Sequence, residues 1–202
     1  MEKAFDLATT RKMLATLPEE HRVAMGVIVC ERLVPNFLRF EEATGFSGYD
    51  LLKRALDTTW ERLAGKQVGS PVLEDLLINC EKLLPDSDDF ATTTVSMAID
   101  AVNAVCLMIE SFDAASPKTI ADICAAAVDT VDMFIQLTAL GSSVIIGVND
   151  ERLILEHPLM QAELTRQRID YDTLVRTTAI DAAFVEWAKK VCAQRGGSVS
   201  IA

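Results

Sequence analysis

Residues 23–34, VAMGVIVCERLV, hold only two charges in twelve positions. At 100° per residue, Val23, Val27, Cys30 and Val34 form one helical face, while Met25, Val29 and Leu33 cover the opposite one. A helix that is apolar nearly all round must be enclosed by neighbours. The chain is therefore expected to wrap other helices around this segment. Glu31 falls between Val27 and Ile28, inside an apolar sector, and Arg32 lies toward Met25. Burying an unpaired charge is costly, so each needs a partner or an opening. Two readings stand: a ligand-anchoring pair in a pocket, or an internal ion pair joining helices, with Asp57 or Asp100 as partner.

Pro35 follows at once. It removes a backbone donor and should kink or break the helix near Val34, with a second segment from Asn36 to Ala43 ending at Gly45. Asn36 is a candidate partner for the carbonyl that the proline frees.

Helical spacing continues along the chain, and no alternating run is long enough for a sheet. Helices are expected over about 6–16, from Pro18, over about 49–63, from Ser70–Pro71 through an inner face of Leu73, Leu76, Leu77, Cys80 and Leu84, over about 89–112, and from Ser116–Pro117 to near Leu140. GSSVIIGVND (141–150) reads as a loop, followed by a short helical turn from Glu151 to Pro158. The stretch 158–193 carries one apolar stripe (Leu164, Tyr171, Val175, Thr178, Ala182, Val185) and is one long helix or two broken near Asp170. The expected fold is all-α: one domain over 1–202, a bundle of about seven to eight helices with a kinked or broken helix at Pro35 and a flexible tail from about 196.

The net charge of −11 opposes nucleic-acid and anionic-membrane binding. The most apolar windows are interrupted by Asp100, Asn103, Asp122, Asp129 and Asp132, so no membrane span is expected. Five cysteines lie far apart, with no C-x-x-C pair, and fit buried reduced thiols. The opening MEKAFDLATTRK lacks an apolar core, so no signal peptide is expected and a cytoplasmic protein is.

In RALDTTWERL (54–63), Arg54, Asp57 and Glu61 lie on the outer side as a salt-bridge ladder or functional surface, with Trp60 at the edge of the core face. LPDSDDF (84–90) lacks an EF-hand's glycine and closing glutamate and reads as helix capping. Two helices carry narrow polar stripes: Thr92, Ser96, Asp100, Asn103 and Glu110 on one, Lys118, Asp122, Asp129, Asp132 and Gln136 on the other. An antiparallel hairpin about residue 114 brings Asp100 level with Asp129, where carboxylates could converge on Mg²⁺ or Mn²⁺; otherwise each stripe is a solvated edge. His21 and His157 stand at helix boundaries, without the Glu-x-x-His of di-iron bundles or a zinc ligand set, and no nucleophile motif or phosphate loop appears.

CERLVPNFLRFEEATGF, LLKRALDTTWERLAGK, CEKLLPDSDDF, AIDAVNAVCLMIE and EHPLMQAELTRQR, in that order, resemble the YjaG-like family, a bacterial domain of unknown function (DUF416). The resemblance implies an all-α cytoplasmic bacterial protein with no assigned activity and supplies no catalytic residue. The chain departs from the family pattern at ATTTVSM, at ADICAAAVDTVDMF and at its SVSIA ending, so the Asp122–Asp129–Asp132 stripe is not a family trait.

The expected function is that of a non-enzymatic helical protein acting through self-association or a protein partner, with no cofactor. The alternative is a carboxylate-based ligand binder or Mg/Mn enzyme with a pocket near Glu31, Arg32 and Asp100. The candidate ligand or partner residues are Glu31, Arg32, Asn36, Asp57, Trp60 and Asp100.

Overall fold

A computed structural model describes residues 6–112, 114–138 and 148–199, with side chains of 148–150 excepted. Nine α-helices and no strand occur among the described residues. They are α1 (Leu7–Leu14), α2 (Glu19–Thr44), α3 (Tyr49–Leu63), α4 (Ser70–Glu81), α5 (Val95–Glu110), α6 (Pro117–Thr138), α7 (Val148–Glu156), α8 (Pro158–Arg176) and α9 (Ala182–Arg195), with a 3₁₀ turn at Ser87–Asp89.

The apolar 23–34 segment is the axis of the fold. It lies in α2, against which α3, α5, α6, α8 and α9 all pack. Val27, Val29, Cys30, Leu33, Val34, Phe37 and Phe40 are wholly buried. Gly26 explains how closely α5 and α6 approach: a Cβ there would stand 2.7 Å from Met108 Sδ and 3.1 Å from Ile120 Cδ1. A smaller apolar cluster forms at the other side from Met97, Val131, Ile135, Ile154, Met160 and Val199.

Helix α2 runs unbroken through Pro35, so the expected break after Val34 does not occur. Proline cannot donate to the Glu31 carbonyl one turn back. In the same turn the Arg32 carbonyl is served from outside the helix, by Ser198 N–H at 2.8 Å. Asn36 does not serve a freed carbonyl; its Nδ2 donates to Ser198 Oγ at 2.9 Å. The helix ends on Gly45, whose φ of 76° is the left-handed cap that its side-chain-free Cα permits.

Other boundaries move for local reasons. Helix α5 starts at Val95 rather than near 89, because Thr94 N donates to Thr92 Oγ1 at 3.3 Å and closes a hydroxyl turn there. Leu84 is exposed, since it lies beyond the end of α4, where helical spacing no longer applies. The 158–193 stretch is two helices, and they part at 177–181 rather than at Asp170. The restart is set by Asp181, whose Oδ1 accepts from Phe184 N at 2.9 Å. The expected inner stripe is also wrong in part: Val175 and Thr178 are exposed, and α8 turns Met160, Glu163, Gln167, Asp170 and Leu174 inward.

The expected flexible tail from about 196 is, through Val199, a seated segment: Gly197, Ser198 and Val199 are buried against α2 and α8. Residues 200–202 and most of the expected 141–150 loop lie outside the described residues. No helix among the described residues is long and apolar enough to cross a membrane.

Candidate functional site

Arg32 is a fully buried charge in the core and meets no residue that local spacing suggested. Its Nη1 donates to Asp170 Oδ2 at 2.6 Å, and its Nη2 to Glu163 Oε1 at 3.1 Å. Asp170 Oδ1 accepts from Arg195 Nη1 at 2.5 Å. Gln167 Nε2 completes the cluster, reaching Glu163 Oε1 and the Cys124 carbonyl, each at 3.0 Å. Two positive and two negative groups thus balance inside the α2–α8–α9 seam. Burial opposes the Arg32 charge, but the carboxylates of Glu163 and Asp170 outweigh it and hold its proton more tightly than in water. Arg32 Nε and Glu163 Oε2 are buried without a hydrogen-bond partner. Thiols around the seam stay protonated, since burial pushes Cys124 and Cys192 up to about 12.

Glu31, one residue earlier, faces the other way. Its Oε2 accepts from Lys53 Nζ at 2.8 Å and its Oε1 from Trp60 Nε1 at 2.9 Å. Although burial disfavours the ammonium, the bond and charge of Glu31 raise the Lys53 pKa. Glu31 and Arg32 are therefore not partners of each other, and neither pairs with Asp57 or Asp100. Each ties α2 to a different neighbour.

Asp57 forms no ladder with Arg54 and Glu61; its Oδ1 accepts from Lys189 Nζ of α9 at 2.6 Å, while Glu61 pairs with Lys66. Trp60 is buried, deeper than the edge position expected of it. Asp100 lies on α5, where its Oδ2 accepts from Thr130 Oγ1 of α6 at 2.7 Å, one residue from the anticipated level with Asp129. Burial raises the Asp100 carboxyl above its ordinary range, Thr130 opposes this, and the charge of Asp129 adds to it. Burial and Asp132 raise Asp129 in turn. Among the described residues, no group of three or more His, Cys, Asp and Glu could hold a metal ion.

These shifts carry a sign. A carboxyl whose folded pKa lies above its unfolded value contributes stability that is fully present below the unfolded value and is lost as pH rises through the folded one. Asp100→Asn keeps an acceptor for Thr130, so it is expected to raise stability at neutral pH and to reduce the loss that sets in as pH rises above the ordinary carboxylate value of about 4. Urea midpoints across that range measure it; a neutral-pH loss on substitution would show that the carboxylate is needed.

Clefts open on the surface of the described residues. One of about 310 Å³ lies beside Glu31, between Pro35, Tyr49 and Lys53 on one side and Lys189, Cys192 and Gly196 on the other. A wider one of about 690 Å³ lies between Glu19, Glu20, Arg62, Phe112 and Asp181. Arg32 borders neither. The six candidates thus divide among three places: Glu31, Trp60 and Asp57 at the α2–α3–α9 junction, Arg32 and Asn36 at the seam with α8, and Asp100 apart on α5. Glu163, Gln167 and Asp170 were missed, although the spacing 160–163–167–170–174 places them on one face of α8.

Comparison with known proteins follows the same outline. The family described as "Protein of unknown function (DUF416)" matches residues 9–201. The uncharacterized protein YjaG of Escherichia coli (strain K12) is 28% identical over 151 residues, covering 74% of each chain. YjaG of Salmonella typhimurium is 31% identical over 98 residues, 48% of this chain and 50% of its own length. The crystal structure of a DUF416 family protein from Shewanella baltica OS155 superposes with a TM-score of 0.85 at 22% identity over 100% of both chains, and so shares the fold. With the family matched along nearly its whole length, the chain belongs to the DUF416 family.

Proposed function

We propose that this protein is non-enzymatic and acts through protein association, with itself or with a partner. The observation that carries the reading is that the candidate side chains are taken up in ties between elements. Arg32 joins α2 to α8, Glu31 joins α2 to α3, Asp57 joins α3 to α9, and Asp100 joins α5 to α6. Acid–base chemistry needs a group free to exchange a proton with a ligand, and charges committed in this way serve architecture.

A second reading, a small-anion binder, is favoured by the cleft beside Glu31. Its volume is at the lower end of ligand pockets, about 300–1,000 Å³, and Lys53 and Lys189 each keep ammonium protons beyond the one bonded to a carboxylate. A thermal-shift panel of Mg²⁺, Mn²⁺, nucleotides and small carboxylates, run on wild type and on Lys53→Gln with Lys189→Gln, separates the two. The association reading expects no ligand-induced rise, and expects light scattering to show mass above the single chain's 22.1 kDa as concentration increases or as a partner is added. A rise that the two lysine substitutions abolish favours the small-anion binder instead.

A further inference from the structure

Residues 197–199 are held as a bound peptide would be. Arg166 Nη1 donates to the Gly197 carbonyl at 3.2 Å, and its Nη2 reaches the Arg195 carbonyl at 3.4 Å. Ser198 N–H donates to the Arg32 carbonyl at 2.8 Å, and Arg39 Nη1 donates to the Val199 carbonyl at 3.1 Å. Only two side chains are read: Ser198 Oγ by Asn36, and Val199, which is fully buried among Met97, Val131, Ile135, Ile154 and Met160. All these receptor groups except the socket's outer wall sit on α2, α5, α6 and α8, and the Arg32 carbonyl of α2 takes a backbone bond from the segment.

We infer that the seam between α2 and α8 is a docking groove for an extended segment of a protein partner, occupied in this structure by the chain's own residues 197–199. This rests on the reading of the protein as one that acts by association. The occupant's chemistry follows from the contacts: a small residue, then a hydroxyl, then a β-branched apolar residue, in extended form, with its carbonyls turned to arginine. Arg39 and Arg166 spend their charge on carbonyls and make no ion pair among the described residues. A partner segment that carries a carboxylate beside the β-branched position therefore matches the groove better than the chain's own segment does. Departure of the resident segment breaks these bonds and exposes Val199, and Gly196, with φ 67° and ψ −167°, gives it a pivot at the end of α9. A second copy is the weaker occupant. Only residues 196–199 link α9 to the socket, a reach of roughly 13 Å when extended, and two chains of charge −11 would have to come that close.

The test uses the whole chain. A fluorescein-labelled peptide of residues 195–202 is titrated into wild type and into Val199→Asp, which unseats the resident segment. Val199→Asp is expected to bind it saturably and wild type about tenfold or more weakly, because the tethered segment competes at high effective concentration. A peptide with aspartate at the Val199 position should not bind, and Arg39→Ala with Arg166→Ala should weaken binding. Ser198→Pro, which removes the donor to Arg32, serves if Val199→Asp does not fold. In wild type itself, excess peptide is expected to speed hydrogen exchange at the Ser198 and Val199 amides. Absence of binding to a folded variant, or of that acceleration in wild type, overturns the groove. Concentration-dependent mass in wild type that Val199→Asp abolishes assigns the groove to a second copy and overturns the partner, while leaving the association reading in place. A ligand-induced rise abolished by Lys53→Gln with Lys189→Gln overturns the association reading on separate grounds.

Discussion

Arg32→Ala is expected to lower stability by about 3–5 kcal/mol, because it leaves Glu163 and Asp170 as buried carboxylates with too few positive partners. That is a large part of the 5–15 kcal/mol by which a typical domain is stable, so the variant should melt far below wild type or fail to accumulate. The loss comes from stranding the partners and not from the worth of the pair. Replacing the whole cluster by apolar groups (Arg32→Met, Glu163→Leu, Asp170→Leu) is therefore expected to recover most of it, since Arg195 is partly exposed and can turn to water. Circular-dichroism melts of the single and triple variants decide the matter. A triple variant as unstable as the single would sink the account of Arg32 as a replaceable internal tie and point to a role for the charges themselves.

Trp60 should matter nearly as much, in two separable parts. Trp60→Ala removes a wholly buried indole and is expected to cost about 3–5 kcal/mol through lost transfer energy and the cavity it leaves. Trp60→Phe retains most of the apolar contact but withdraws the N–H from Glu31 Oε1. It should cost about 1–3 kcal/mol, toward the low end because Lys53 still holds the other oxygen. Urea midpoints of the two variants measure the parts. Equal losses would mean that the hydrogen bond carries the site and the packing little.

The local features of the bundle were legible because they depend on neighbours in sequence. Tyr49–Leu63 could be placed from its amphipathic spacing, the start of α6 from Ser116–Pro117, the end of α2 from Gly45, and the α5–α6 register to within a residue from hairpin geometry. What could not be read was the inward turn of a polar face. Periodicity assigns apolar residues to the core, and α8 obeys a different demand: a guanidinium already buried on α2 attracts Glu163 and Asp170, and Glu163 in turn holds Gln167, ahead of Val175. The 23–34 window did announce that Arg32 needs a partner, but its carboxylates lie 131 and 138 residues further on, beyond any local pattern. At Pro35 a kink or a break was expected, and α2 continues without a break; the Arg32 carbonyl in that turn is served by Ser198, which nothing near residue 35 foretells.

That distance has a consequence for how the chain is made. Synthesis runs from the amino end, so α2, the axis on which the other helices pack, leaves the ribosome long before α8 exists. Until residue 163 emerges, its most deeply set cation has no counter-charge, and the Arg32 carbonyl beside Pro35 waits longer still, for residue 198. The early helices can gather loosely, but the seam is a late event with high sequence separation, the kind of closure that slows folding. A nascent or prematurely ended chain of this protein is thus expected to present an unsealed apolar furrow with an arginine in it, which makes it a natural client for chaperones and proteases until its last helices arrive.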